Sequence, residues 1–410
     1  MKFNKWTVAL AALGVVSLSS AAKAEEKASP VMTALAATTI SGYVDTSAQW
    51  NFGTGNANNP PYKFGGASKA DGFNLDVIQL TISKPLDESD WAAGYRADLW
   101  FGPDANTLGT QSILGNSGGS SDFAVRQAYV ALRAPVGTGL DFKMGVFDSI
   151  IGYESIEAGN NPNFTRSYGH SIEPQTHTGV LASYRFCDFF SASLGVADTV
   201  GPSINERANP PKAESYKTYM GSVALTAPDS WGFLSGSTLY GGVVNGFSGG
   251  SSGVDADGNP AAVNSGNRIN YYAGATIATP VTGLRLGAAF DYLKIWDMKA
   301  ETWSIGGYAS YQATEKLSFH ARGEYLDDST PVLRRDSVDA EGDVIPAASL
   351  GKTLALTATV QYDLWKNVIS RLELRWDHSL SGQETFGGTT VNVPNRDNAW
   401  MLAANVIYKF

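Results

Sequence analysis

Residues 148–186 read DSIIGYESIEAGNNPNFTRSYGHSIEPQTHTGVLASYRF, and two kinds of chain meet inside this stretch. The first part, 148–174, is polar and irregular. It holds Gly152, Tyr153, Glu154, Glu157, Arg166, His170 and Glu173, and Pro162 and Pro174 block long regular structure. The second part, 175–186, alternates. Thr176, Thr178, Val180, Ala182, Tyr184 and Phe186 share one face, and Gln175, His177, Gly179, Leu181, Ser183 and Arg185 share the other. A period of two with one apolar and one mixed polar face predicts a β-strand. A long charged loop feeding such a strand, in a chain full of such strands, implies a loop folded into a β-barrel pore.

Working outward, sixteen segments predict strands: 39–52, 72–83, 91–102, 122–133, 139–147, 175–186, 189–200, 216–227, 231–245, 268–279, 284–296, 302–312, 317–326, 352–362, 368–378 and 398–410. The connections between them alternate between short and long. Only 297–301 is brief where the parity asks for length. Short periplasmic turns and longer external loops are the pattern of outer-membrane barrels, and an even strand count puts both termini in the periplasm. The last segment places Trp400, Leu402, Ala404, Val406, Tyr408 and the terminal Phe410 on one face. Such an end resembles the strand read by the outer-membrane assembly machinery. In a soluble protein the same apolar edge would invite aggregation.

The N-terminus reads as a Sec signal peptide. Lys2 and Lys5 precede an apolar run at 6–18, and Ala22-Lys23-Ala24 is a cleavage site. The run is too short for the roughly 20 residues of a membrane-spanning helix. Residues 1–24 are then the signal peptide, 25–38 a short leader, and 39–410 the barrel. Loss of the lysines at 2, 5 and 23 takes the formal charge from −9 to −12. That balance excludes a nucleic-acid partner, which needs clustered Lys and Arg. The mean hydropathy of −0.13 fits a barrel, where lipid-facing and lumen-facing residues cancel in any window. The single cysteine, Cys187, falls between two strands and reads as a turn residue.

The opening stretch also carries a family resemblance. Gly152-Tyr153-Glu154, Asn163-Phe164-Thr165-Arg166-Ser167-Tyr168, Pro174-Gln175-Thr176-His177-Thr178-Gly179 and Ala182-Ser183-Tyr184-Arg185-Phe186 together resemble the OmpL-like β-barrel porin-2 family of bacterial outer membranes. The resemblance implies an all-β, antiparallel transmembrane barrel of about 16 strands, located in the outer membrane. In sixteen-stranded porins the third external loop folds inward, and here that loop is 148–174.

Alternation assigns the faces of several strands. It turns Arg96, Asp98, Lys143, Arg285, Asp291, His320, Arg322, Glu324, Arg371, Glu373, Arg375 and Asp377 to the lumen, between apolar neighbours that face lipid. An Arg or Lys facing mid-bilayer lipid costs roughly 2–4 kcal/mol, so several in one strand must all point to water. The candidate constriction is then Glu154, Glu157, Arg166, His170 and Glu173 on the loop, facing Arg96, Asp98, Lys143, Arg322, Glu324, Arg371, Glu373 and Arg375 on the wall. The loop acids are expected to oppose arginines such as Arg96, Arg371 and Arg375.

Two strands resist the assignment. Segment 122–133 sends either Arg126 or Gln127 to lipid, and 72–83 mixes Asp76 with Ile78 and Leu80. A subunit interface, a covering loop or a bulge would each explain this. The first of these, with the strand number, points to a homotrimer.

The reading is therefore a porin passing small hydrophilic solutes, with no cofactor, no metal and no catalytic residues. The alternative is a barrel enzyme built on His170 or His378 with Ser167 or Asp377, but no nucleophile motif surrounds them. A sugar-selective channel would use inward aromatics such as Trp100 and Tyr308. His170 and His177 lack a tight metal-binding spacing. Asp255-Ala256-Asp257-Gly258-Asn259 lacks the later glutamate of a calcium loop.

Overall fold

The computed structural model describes residues 37–53, 55–110, 121–208, 216–249, 252–254, 260–262, 266–296, 298–330, 332–334, 337–338, 344–346 and 349–410. The expected signal peptide, most of the expected leader and the stretch 255–259 lie outside these residues.

Sixteen antiparallel strands close into one barrel. They are β1 (Thr39–Asn51), β2 (Gly72–Lys84), β3 (Ala93–Phe101), β4 (Phe123–Ala134), β5 (Leu140–Asp148), β6 (Thr176–Arg185), β7 (Phe190–Ala197), β8 (Thr218–Thr226), β9 (Thr238–Phe247), β10 (Asn267–Ala278), β11 (Leu284–Ile295), β12 (Ala300–Gln312), β13 (Leu317–Asp328), β14 (Gly351–Trp365), β15 (Val368–Ser379) and β16 (Asn398–Lys409). Each pairs with its sequence neighbour. Closure comes from β1 on β16, in register from Tyr43↔Lys409 to Asn51↔Met401. Gly42 and Phe410 complete the seam by exchanging backbone hydrogen bonds of 3.0 Å. Every expected strand is present. Only the ninth begins much later than its apolar pattern suggests: 3₁₀ turns occupy Asp229–Leu234, and positive φ at Gly232 within them and at Gly236 after them holds the chain out of the sheet. Two short α-helices sit in the connections, α1 (Pro103–Leu108) and α2 (Tyr168–Ile172).

Side chains sort as the alternation requires. On β15, Leu372 and Leu374 are exposed while Arg371, Glu373, Arg375 and Asp377 are buried. The two strands that resist simple alternation are each resolved by a β-bulge. On β2, Val77 pairs with Asp45 and Leu75 with Thr46, leaving Asp76 as the extra residue. On β4, Gln127 pairs with Asp98 and Val125 with Leu99, leaving Arg126 extra. The bulge lets two consecutive residues face inward: Asp76 and Val77 are both 1% exposed, and Arg126 and Gln127 are 2% and 4% exposed.

The exposed apolar face carries a direct consequence. Leu374 sits mid-strand on that face, between Ala358 and Leu402. Leu374→Lys is expected to destabilise the barrel in lipid vesicles by about 2–4 kcal/mol in denaturant unfolding. A cost near zero would mean that this face does not meet hydrocarbon.

Candidate functional site

The site is built from the segment 149–175, which leaves the barrel at Asp148 and rejoins it at Thr176. Its neck is closed by the Ser149 amide on the Gln175 carbonyl (2.9 Å). Inside the neck the chain has little regular structure, so its backbone groups need other partners. Asn161 supplies some, bonding the Ser155 amide (2.7 Å) and the carbonyls of Ser155 and Glu157. Ser167 caps α2 by accepting from the His170 amide (3.0 Å). Arg166 donates to the carbonyls of Phe164 and Ile156 and packs over the Phe64 ring.

Wall side chains supply the rest. Glu373 accepts from the amides of Phe164 (2.6 Å) and Thr165 (2.9 Å), and Glu324 accepts from the Tyr168 amide (2.6 Å). Arg371 donates to the carbonyls of Ala158, Asn161 and Asn163. Arg375 donates to the Arg166 carbonyl (2.8 Å) and lies between the rings of Tyr62 and Tyr168. Arg322 reaches the Thr165 carbonyl (2.7 Å) and pairs with both Glu154 (2.8 Å) and Glu324 (2.6 Å). These five wall residues are at most 4% exposed. They are clamps on the loop backbone.

A second cluster sits on the β3–β4 side. The Glu157 carboxylate meets Arg96 (2.9 Å) and Arg126 (2.8 Å). Arg126 also holds Asp148 (2.9 Å) and Asp98 (3.2 Å), and Asp98 takes Arg96, Thr81 and Gln127. Lys143 lies over the Tyr129 ring at 4.9 Å. The expected opposition of loop acids and wall arginines thus takes a different form at two of the three acids. Glu157 does meet Arg96, but Glu154 pairs with Arg322. Glu173 packs against the carboxyl of Asp291, with the His170 ring nitrogen 3.5 Å away. Arg371 and Arg375 meet loop carbonyls instead of loop acids.

Two cavities border the loop. One, of about 610 Å³, is lined by Arg96, Arg126, Asp148, Glu154, Glu157, His170, Glu173 and Lys409 among others. The other, of about 430 Å³, lies toward β8–β14 and is lined by tyrosines. Of the candidate residues, only Arg96, Glu154, Glu157, His170 and Glu173 border the larger cavity. Arg126, Asp148, Lys409 and Arg285 border one or the other and were not among the candidates. For Arg126 the bulge hides the signal, because period-two reading leaves it undecided. Trp100 does turn inward, donating to Gln79 (2.6 Å), and Tyr308 lines the smaller cavity.

Among the described residues, three side chains of the catalytic alternative are engaged elsewhere. The Ser167 hydroxyl serves as a helix cap, Asp377 is taken by Arg375 and Tyr168, and His378 bonds Asn398 (2.9 Å). Among the described residues no cluster of His, Cys, Asp or Glu is placed to hold a metal ion.

Two buried loop groups make the loop's hold pH-dependent in opposite senses. Burial, with the charge of Glu154, pushes Glu173 up to about 7 from an ordinary 4.5. Its raised value means that its contribution is complete below about 4.5 and lost as pH rises through 7. Burial pushes His170 down to about 3 from 6.5, so its contribution is complete above 6.5 and lost as pH falls. The loop is therefore expected to be held best on a plateau between about pH 4.5 and 6.5. Hydrogen exchange of the 163–173 amides, corrected for intrinsic rates, should show that plateau. Glu173→Gln should reduce the alkaline fall, which Glu173 shares with the Asp291 carboxyl it packs against, and leave the acid one. An unchanged alkaline fall in that variant would overturn the assignment.

Comparison with known proteins places this geometry in context. No curated protein sequence matches the chain. Among solved structures it is similar to the outer membrane channel DcaP of Acinetobacter baumannii, at a TM-score of 0.56 and 10% identity over 91% of this chain and 97% of that one. It is similar to the anion-selective porin from Comamonas acidovorans, at 0.54 and 13% over 91% and 99%. It is also similar to the trimer form of OmpT from Vibrio cholerae, at 0.52 and 12% over 91% and 99%. These likenesses establish a shared barrel fold. The model of one family matches residues 37–410, the whole of the barrel, and the chain therefore belongs to the putative beta-barrel porin-2, OmpL-like, family.

Proposed function

We propose that segment 149–175 lies across the lumen and narrows it, leaving a water-filled passage through which small hydrophilic solutes cross the outer membrane passively. One observation carries this reading. The loop's wall partners come from β3, β4, β10, β11, β13, β15 and β16, and all sit on the face opposite the exposed apolar one. A segment lying over the outer rim would not reach inward side chains on strands so far apart around the ring. Porin-family membership supports the same reading.

Chief among the charges able to act on a passing ion are then those bordering the larger cavity. Arg371 and Arg375 are withdrawn from that role, because the loop backbone covers them. In a narrow passage with low-dielectric walls each remaining charge acts strongly. Glu157→Gln leaves Arg96 and Arg126 in excess and should move the reversal potential in a salt gradient toward anions. Arg96→Gln should move it toward cations. Reversal potentials unchanged in both variants would show that this cluster does not border the ion path.

We further propose that the chain is exported by a Sec signal peptide at 1–24, meets outer-membrane lipid through its apolar face, and is delivered by the assembly machinery that reads the strand ending at Phe410. The bulges at Asp76 and Arg126 account for the irregular faces of β2 and β4, so those faces no longer argue for a subunit interface. The trimer form among the similar barrels supports a homotrimer instead. In mild detergent the protein is expected at three times the mass of the mature chain. Deleting Phe410 should lower the yield of that species more than deleting one residue of the loop between β9 and β10. A monomer mass would overturn the trimer, and equal yields would overturn the role of the last strand.

A further inference from the structure

The smaller cavity, of about 430 Å³, has a composition unlike the rest of the lumen. Four tyrosines line it: Tyr153 from the loop, Tyr240 from β9, Tyr272 from β10 and Tyr308 from β12. Three of the rings lie along the wall because glycines leave room for them. A methyl group at Gly287 would collide with the Tyr153 hydroxyl, one at Gly274 with the Tyr272 hydroxyl, and one at Gly306 would press on the Tyr308 ring. Tyr153 stacks on Tyr308 with centroids 4.1 Å apart. The result is an aromatic surface running along the barrel wall.

The only formal charge bordering this surface is Arg285; among the described residues no Asp or Glu lines the cavity. Arg285 is exposed and, among the described residues, forms no ion pair. This sets it apart from Arg96, Arg126, Arg322 and Arg375, each of which meets a carboxylate. The rim carries the hydroxyls and amides of Ser222, Thr276, Ser310, Asn160 and Gln361, with the His320 ring bonded to Ser310 (2.9 Å) beside them.

Each feature restricts the ligand. A guanidinium with no acid beside it fits a carboxylate, which it can grip through two parallel hydrogen bonds. The aromatic surface fits a flat, largely C–H face. The polar rim rejects a purely aromatic acid, which would strip its hydroxyls and amides of water without replacing the hydrogen bonds. A volume of 430 Å³ suits a small molecule, toward the low end of the roughly 300–1,000 Å³ of ligand pockets. We propose that this cavity is a solute subsite for a sugar acid, a pyranose ring carrying one carboxylate. The proposal rests on the porin reading and names the solute class of that passage. Binding must remain weak for the solute to leave again, as conduction requires.

Single-channel recording in planar bilayers tests it, with galacturonate, galactose, acetate and benzoate as probes and the potassium chloride conductance as the check on folding. Galacturonate is expected to interrupt the current at concentrations about tenfold or more below those of the other three, the discrimination expected of one charge-assisted contact. Arg285→Gln should bring galacturonate to the level of galactose, and Tyr240→Ala should weaken both sugars. Equal block by galacturonate and acetate would reduce the site to simple anion attraction and overturn the proposal. So would stronger block by benzoate, or an unchanged response in Arg285→Gln at normal conductance. If the wild-type protein forms no conducting channel at all, the porin reading itself fails, and this inference with it.

Discussion

The hydrogen bonding of the backbone is the constraint on which the rest of this structure depends. In hydrocarbon no water is available to an unpaired amide or carbonyl, so a spanning sheet must close on itself. Here the closing ladder is β1 on β16, finished by Gly42 and Phe410. The same constraint reappears inside. Segment 149–175 brings a largely irregular backbone among the inward side chains, and its amides and carbonyls need partners as much as those of the wall do. The carboxylates of Glu324 and Glu373 take its amides, and the guanidiniums of Arg322, Arg371 and Arg375 take its carbonyls.

This use of charge explains why the lumen is so rich in paired ions. Taking a charge out of water is costly unless partners satisfy it. Arg322 and Arg375 pair with Glu154, Glu324 and Asp377 in one connected set while their remaining donors and acceptors hold the loop. Removing Arg322 would leave Glu154, and removing Arg375 would leave Asp377, buried without its cation, which costs far more than the net worth of the pair. The set therefore resists exchange for reasons unrelated to solute selection. The charges that border the two cavities lie mostly elsewhere, around Glu157, Arg96 and Lys409 on one side and Arg285 on the other.

Much of the barrel was legible from period-two alternation, because lipid on one side and polar contents on the other force every strand into the same pattern. The apolar Leu372, Leu374 and Trp376 among Arg371, Glu373, Arg375 and Asp377 leave no other reading of β15. The candidate site was legible only in outline. Alternation says that Arg371 points inward; it cannot say that a loop carbonyl will be waiting there. Glu173 looked like one more lumen acid, and only the packing of α2 against β11 brings it to Asp291. Of the aromatic surface only Tyr308 stood out as an inward aromatic, for a related reason. Its residues come from four separate elements, and its shape depends on glycines that carry no signal of their own.

The two strands that defied alternation show how far the pattern governs the chain. In a regular β4, one of Arg126 and Gln127 must face lipid. Sending Arg126 there would cost roughly 2–4 kcal/mol at mid-bilayer, would strip Asp148 of its ion-pair partner and would leave Glu157 with Arg96 alone. The bulge avoids both losses by giving up one ladder position, and it does so beside Asp98, whose carboxylate accepts from Gln127 and pairs with Arg126. On β2 the same device brings Asp76 inward to Lys69, which also holds Asp104 of α1. Both bulges thus fall where an inward charge ties a connecting loop to the wall: Arg126 to segment 149–175, and Asp76, through Lys69, to the connections that follow β1 and β3. A break in alternation at a charged residue, with the alternation sound on either side, marks a point where the wall has given up regularity to hold a loop.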